Sequence, residues 1–224
     1  MDYTFDVVLL NPSGGQRSGD VTVGTTGPVQ TTVVSMDRAP ENNAPMLVAG
    51  FTVKAIGQST PNMLTENTLT VTLSCLSALP VGTDVVITGL TGTSSEVDAS
   101  GNFTTLLDAG GGGVKWNAST GELSLSLEAE LPPDEVFVLQ LNLTNPGALQ
   151  ESPSVSIETR GVVTTFRTAM DKGADNEAPL LIAGFLVANS SQSVADAATL
   201  NTITVTLNPP STRNPQPSTL NPKP

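Results

Sequence analysis

The chain has 224 residues, with 21 acidic against 9 basic side chains, a net charge of −12, no histidine, one cysteine, one tryptophan and one tyrosine. Without histidine there is no Ser-His-Asp or Cys-His catalysis and no histidine-ligated metal; one cysteine leaves no intramolecular disulfide framework or multi-cysteine zinc site; the acidic balance speaks against nucleic acid. No apolar run reaches the roughly 18 residues a membrane-spanning helix needs.

The dominant feature is an internal repeat. Residues 36–73 match residues 170–207 without a gap, at a constant offset of 134, and about half the positions are identical. The identities include Met36/Met170, Asp37/Asp171, Ala44-Pro45/Ala178-Pro179, Gln58-Ser59/Gln192-Ser193, Asn67/Asn201 and Thr70–Leu73/Thr204–Leu207. The offset holds upstream through Asn11-Pro12/Asn145-Pro146, Gln16/Gln150, Ser18/Ser152, Thr25/Thr159 and Gly27/Gly161. A unit of this length is too long for a solenoid coil and suits one β-sandwich. The register divides the chain into the C-terminal part of one repeat (1–36), an acidic linker (37–43), a complete repeat (44–170), a second acidic linker (171–177), the N-terminal part of a third repeat (178–208) and a Pro-rich low-complexity tail (209–224). On this register the array is truncated at both ends, and both end pieces are expected to be poorly ordered or to make non-native contacts.

In chain order, Phe5, Val7 and Leu9 keep the period-2 apolar face of their counterparts Leu139, Leu141 and Leu143. Leu47, Ala49, Phe51 and Val53 share one face. Leu69, Val71 and Leu73 point inward while Thr68, Thr70 and Thr72 point outward. Short strands are expected at 84–88, 103–107 and 114–116, the last two flanking the glycine run 110–113. Leu123, Leu125 and Leu127 alternate with serines, and 136–143, 154–157 and 162–168 complete about nine strands. No segment has a helical period. One-sided strands of this kind are buried by two sheets packed face to face, which makes the fold class all-β, an antiparallel β-sandwich.

The strand spacing, the Ala-Pro start and the GTxVxITGLTG segment from Gly82 to Gly92 resemble the Ig-like tandem modules of surface and adhesion proteins. The linkers end in Asn-Asn-Ala-Pro and Asn-Glu-Ala-Pro, which resemble the cadherin interdomain linker, where calcium stiffens the joint. That resemblance implies oxygen ligands at Asp37, Glu41, Asn42 and Asn43, and in register at Asp171, Asp175, Asn176 and Glu177; calcium takes six to eight such oxygens. The bland alternative is a solvated acidic hinge.

Other features favour structure over chemistry. The threonine ladders read as the wet face of strands, Trp116 as core, and Cys75 as a small buried apolar group. The glycine run lacks the lysine spacing of a phosphate cradle, and nothing pairs two carboxylates for glycoside chemistry. Asparagines in glycosylation sequons stand at 102, 117, 142 and 189 (Asn102, Asn117, Asn142 and Asn189). The expectation is a non-catalytic structural or adhesive module of an extracellular or cell-surface protein, with neighbouring repeats, other surface proteins or glycans as partners and no cofactor, calcium aside. The alternative is a calcium- or carbohydrate-binding module.

Overall fold

The computed structural model describes residues 4–37, 44–93, 98–107, 113–173, 178–185 and 187–208, with the side chain of Asn102 set aside. Its centre is an all-β sandwich. Strands β3 (Phe51–Gln58), β4 (Glu66–Cys75), β5 (Thr83–Thr88), β6 (Asp98–Ser100), β7 (Val114–Asn117), β8 (Glu122–Ser126), β9 (Phe137–Thr144), β10 (Ser156–Gly161), β11 (Thr168–Ala169) and β12 (Asp171–Lys172) form two five-stranded sheets. One sheet runs β11-β10-β5-β8-β7 and the other β12-β3-β4-β9-β6. All pairings are antiparallel except β12, which lies parallel to β3 at Ala55 and Ile56.

Alternation builds the core. Leu69, Val71 and Leu73 of β4 face inward with Leu139 and Leu141 of β9, against Val85, Ile87, Leu123, Leu125 and Ile157 of the opposite sheet; each is at most 1% exposed. Removing one such side chain from water contributes about 1.5–3 kcal/mol. Thr68, Thr70 and Thr72 take the outer side and are half-buried there. Trp116 packs against the core cluster, as its place beside a strand suggests.

Two segments differ from the alternation reading. Residues 103–107 are not a strand: Asn102–Leu106 is a 3-10 turn. Gly101 sets it up with φ 101°, and a Cβ there would stand 2.3 Å from the Val138 carbonyl oxygen, so the chain turns where it crosses β9. The turn drops Phe103 into the core, edge-on to Phe137 at 6.3 Å between ring centres. Of 162–168, only Thr168 enters a strand; Phe166 is exposed.

The flanking pieces repeat parts of this architecture. Hairpin β1 (Thr22–Val23) with β2 (Val34–Ser35) has the register of β10 with β11, Val23↔Val34 answering Ile157↔Thr168. Hairpin β13 (Val187–Gln192) with β14 (Ile203–Asn208) has that of β3 with β4, Gln192↔Ile203 answering Gln58↔Leu69. The sequence repeat is therefore also a structural one. Both flanking hairpins stay two-stranded, and their apolar side chains are exposed: Val23, Val34, Ile203, Val205 and Leu207 are all at least half open to solvent.

Candidate functional site: the joint between repeats

The most elaborately built polar region joins one copy to the next, and it occurs twice. Ala44-Pro45-Met46-Leu47 is a tight turn closed by the Leu47 amide on the Ala44 carbonyl at 2.9 Å; Ala178-Pro179-Leu180-Leu181 is the same turn, closed at 3.0 Å. Proline in second place and a left-handed residue in third (Met46 φ 64°, Leu180 φ 57°) are the signature of a type II turn. That explains the repeated Ala-Pro, and a non-glycine residue at the left-handed position is a local strain that the surroundings must offset.

The surroundings are the same both times. The side chain of Gln16 donates to the Met46 carbonyl at 2.9 Å, and that of Gln150 to the Leu180 carbonyl at 3.0 Å. Ser18 Oγ donates to the Pro45 carbonyl at 2.7 Å and Ser152 Oγ to the Pro179 carbonyl at 2.8 Å. Isolated bridges link Gln16 with Val48 and Gln150 with Ile182. At the first joint the backbones of Gly15 and Gly50 nearly touch, a Cβ on Gly50 falling 2.6 Å from Gly15 Cα. Arg17 adds a two-pronged ion pair with Asp134, one prong at 2.9 Å, fully exposed.

The second joint is anchored more deeply. Gln150 Nε2 also donates to the Thr91 carbonyl at 2.9 Å. Leu180 and Ile182 are completely buried, and Leu180 belongs to the core of the central sandwich, whereas its counterpart Met46 is 55% exposed. Next to it lies a buried amide network. Asn67 Oδ1 accepts from the amides of Ser59 and Thr60, and its Nδ2 donates to Gln58 Oε1 at 3.1 Å and Asn145 Oδ1 at 2.8 Å. Asn145 in turn donates to the carbonyls of Thr60 and Asn62, and Gln58 Nε2 donates to the Leu181 carbonyl at 3.0 Å. Every buried side-chain amide in this chain of contacts is satisfied, which is what a low-dielectric interior demands.

None of these residues stands out by chemical type. The available signal is that polar residues were kept identical between two copies that otherwise drift: Gln58, Ser59, Asn67, Asn145, Gln150 and Ser152 all have identical partners 134 residues away.

The calcium-ligand positions are divided. Asp171 lies on β12 and forms an ion pair with Lys54 at 2.9 Å; Asp37 is exposed. Glu41, Asn42, Asn43, Asp175, Asn176 and Glu177 lie outside the described residues. Among the described residues, no three acidic, cysteine or histidine side chains come together in a metal-holding group. Of the sequon asparagines, Asn117 caps the β7–β8 turn by accepting from the Ser119 and Thr120 amides, Asn142 accepts from Thr68 Oγ1, and Asn189 is exposed on β13. Asn102 lies in the 3-10 turn. Cys75 is buried, and burial pushes its thiol pKa up to about 12, so it is no nucleophile at neutral pH. Among the described residues, no helix is long and apolar enough to cross a membrane.

No protein-family model matches the chain. No curated protein matches it either. Among solved structures it is similar to the sixth cohesin of scaffoldin B from Acetivibrio cellulolyticus, crystallised with a dockerin. The two share 16% identity at a TM-score of 0.33, over 55% of this chain and 99% of that one.

Proposed function

We propose that this chain is a structural or adhesive module of an extracellular or cell-surface protein, in which successive Ig-like sandwiches are coupled into a stiff array. The observation that supports this is the duplicated joint: the same turn, the same glutamine and the same serine recur at both boundaries with hydrogen-bond lengths that agree within 0.1 Å. In this reading the working unit of the array extends past residue 170 to include Leu180–Ile182, so that each repeat begins by plugging the core of its predecessor. The low charge and the Ser/Thr outer faces suit a module that supplies length and surface rather than catalysis.

The test is single-molecule stretching of the full chain by its ends. The central sandwich should unfold as one cooperative event, and Gln150→Ala combined with Ser152→Ala should make the 178–182 segment peel away first, as a separate low-force step. An unchanged force trace in the double variant would remove the coupling role. Millimolar calcium against EDTA, measured on the same trace, tests the linker version: a calcium-raised unfolding force supports ligands at Asp37, Asp171 and their neighbours. Antibody labelling of intact cells tests the location.

A further inference from the structure

The exposed apolar side chains of this protein are concentrated at its two ends. Phe5, Val7, Leu9, Val21, Val23 and Val34 lie at one end and Phe185, Leu200, Ile203, Val205 and Leu207 at the other. Monomers rarely leave such surface open without using it, and β14 also presents a free edge, since its only strand partner is β13.

The central sandwich shows what fits there. β4, the counterpart of β14, is paired antiparallel with β9, whose counterpart is the segment 4–10. Moved by 134 residues, the observed pairs Leu69↔Leu141, Val71↔Leu139 and Thr68↔Asn142 become Ile203↔Val7, Val205↔Phe5 and Thr202↔Val8. The polar network gives an independent sign. Asn201 already holds its half: it accepts from the Ser193 and Val194 amides at 3.1 and 3.2 Å and donates to Gln192 Oε1 at 3.2 Å, as Asn67 does with Ser59, Thr60 and Gln58. What Asn67 has in addition is Asn145, and the counterpart of Asn145 is Asn11, exposed and directly following the 4–10 segment. The hairpin β1–β2 then brings Val21 and Val23 to the places of Val155 and Ile157, over the inner face of the completed sheet.

We propose that the two ends are complementary halves of one sandwich and join between copies: residues 4–11 of one molecule add to the β14 edge of the next, antiparallel, with Asn11 completing the Asn201 network. Backbone pairing supplies the affinity, and the alternating apolar side chains set the register. The contact is head-to-tail, so it propagates into chains or closed rings and does not stop at a dimer. It rests on the observed β4–β9 register and stands independently of the surface role proposed above.

Sedimentation velocity of the full chain is the test. Wild type should grow beyond its 23.0 kDa monomer mass as concentration rises. Phe5→Asp spoils the donor and Val205→Asp the acceptor; each alone should remain monomeric, and an equal mixture should give a species of twice the chain mass and no larger one. Val8→Cys mixed with Thr202→Cys should crosslink selectively across the predicted register. A wild type that stays monomeric at all concentrations overturns the proposal, as does self-association of Phe5→Asp alone, which would mean that β14 edges pair with each other. A discrete mixed dimer without crosslinking between positions 8 and 202 overturns the register.

Discussion

Asn67 on β4 and Asn145 just beyond β9 face each other inside the sandwich, Nδ2 to Oδ1 at 2.8 Å, both 1% exposed and 78 residues apart in sequence. Between them they tie β3, β4, the loop after β3 and the end of β9 into one hydrogen-bonded knot, and Gln58 extends it to Leu181. A buried amide pair costs little when complete and a good deal when broken. Asn67→Asp replaces a donor by an acceptor that would confront Gln58 Oε1 and Asn145 Oδ1, so the variant should lose about 2–4 kcal/mol in urea unfolding at pH 7. A loss below about 0.5 kcal/mol would mean that water replaces the network without penalty.

Much of the sandwich could be read before seeing it. The β4 and β8 alternations describe their buried faces residue by residue, because a half-buried strand has only two sides. The 134-residue period described the flanking hairpins down to their registers. Two features escaped. Phe103–Leu107 contains the apolar residues of a strand, but the positive φ of Gly101 and a buried aromatic contact with Phe137 decide otherwise, and neither is local information. The role of Leu180–Ile182 escaped for a related reason: a repeat shows where similarity recurs, whereas burial shows which sandwich a segment completes.

The two type II turns make a controlled comparison. Met46 and Leu180 share the left-handed φ, but Met46 is 55% exposed and Leu180 fully buried. Glycine relieves the backbone strain at both places and raises the unfolded-state entropy at both. Met46→Gly should therefore stay within about 1 kcal/mol of wild type, toward stabilisation. Leu180→Gly also empties a core site and should cost about 3–5 kcal/mol. Thermal unfolding of the two variants side by side checks this; equal effects would mean that Leu180 is not part of the cooperative core.

Acid stability should depend on Glu158. Its carboxylate, 15% exposed, accepts from both Arg167 and Arg160, and these hydrogen bonds hold its pKa below the ordinary 4.5. A carboxylate whose pKa is depressed by folding contributes stability that is fully present above 4.5 and is lost as pH falls through the lower folded value. Because both arginines are about half exposed, solvent screening limits the contribution to about 1 kcal/mol. Glu158→Gln should lower stability by about that amount at pH 7 and show a flatter decline below pH 4.5 than wild type. Parallel acid limbs in the two proteins would place the linkage elsewhere.

Thr83 opens β5 fully buried, and its hydroxyl is, among the described residues, a buried side-chain oxygen with no hydrogen-bond partner. Its backbone is well used: the amide donates to the Pro80 carbonyl at 3.2 Å and its own carbonyl accepts from Leu127 at 3.0 Å. The side chain therefore carries the desolvation cost of a hydroxyl without the compensating bond. Valine has the same branched shape, keeps the strand preference, and replaces the hydroxyl by a methyl that the apolar surroundings favour. Thr83→Val should raise stability by about 1 kcal/mol, read as a higher urea midpoint at unchanged slope. Destabilisation would show that the hydroxyl is satisfied in solution, and Thr83→Ser separates the two terms: it keeps the hydroxyl, loses the methyl, and should fall below wild type by about the value of one buried methyl group, about 1 kcal/mol.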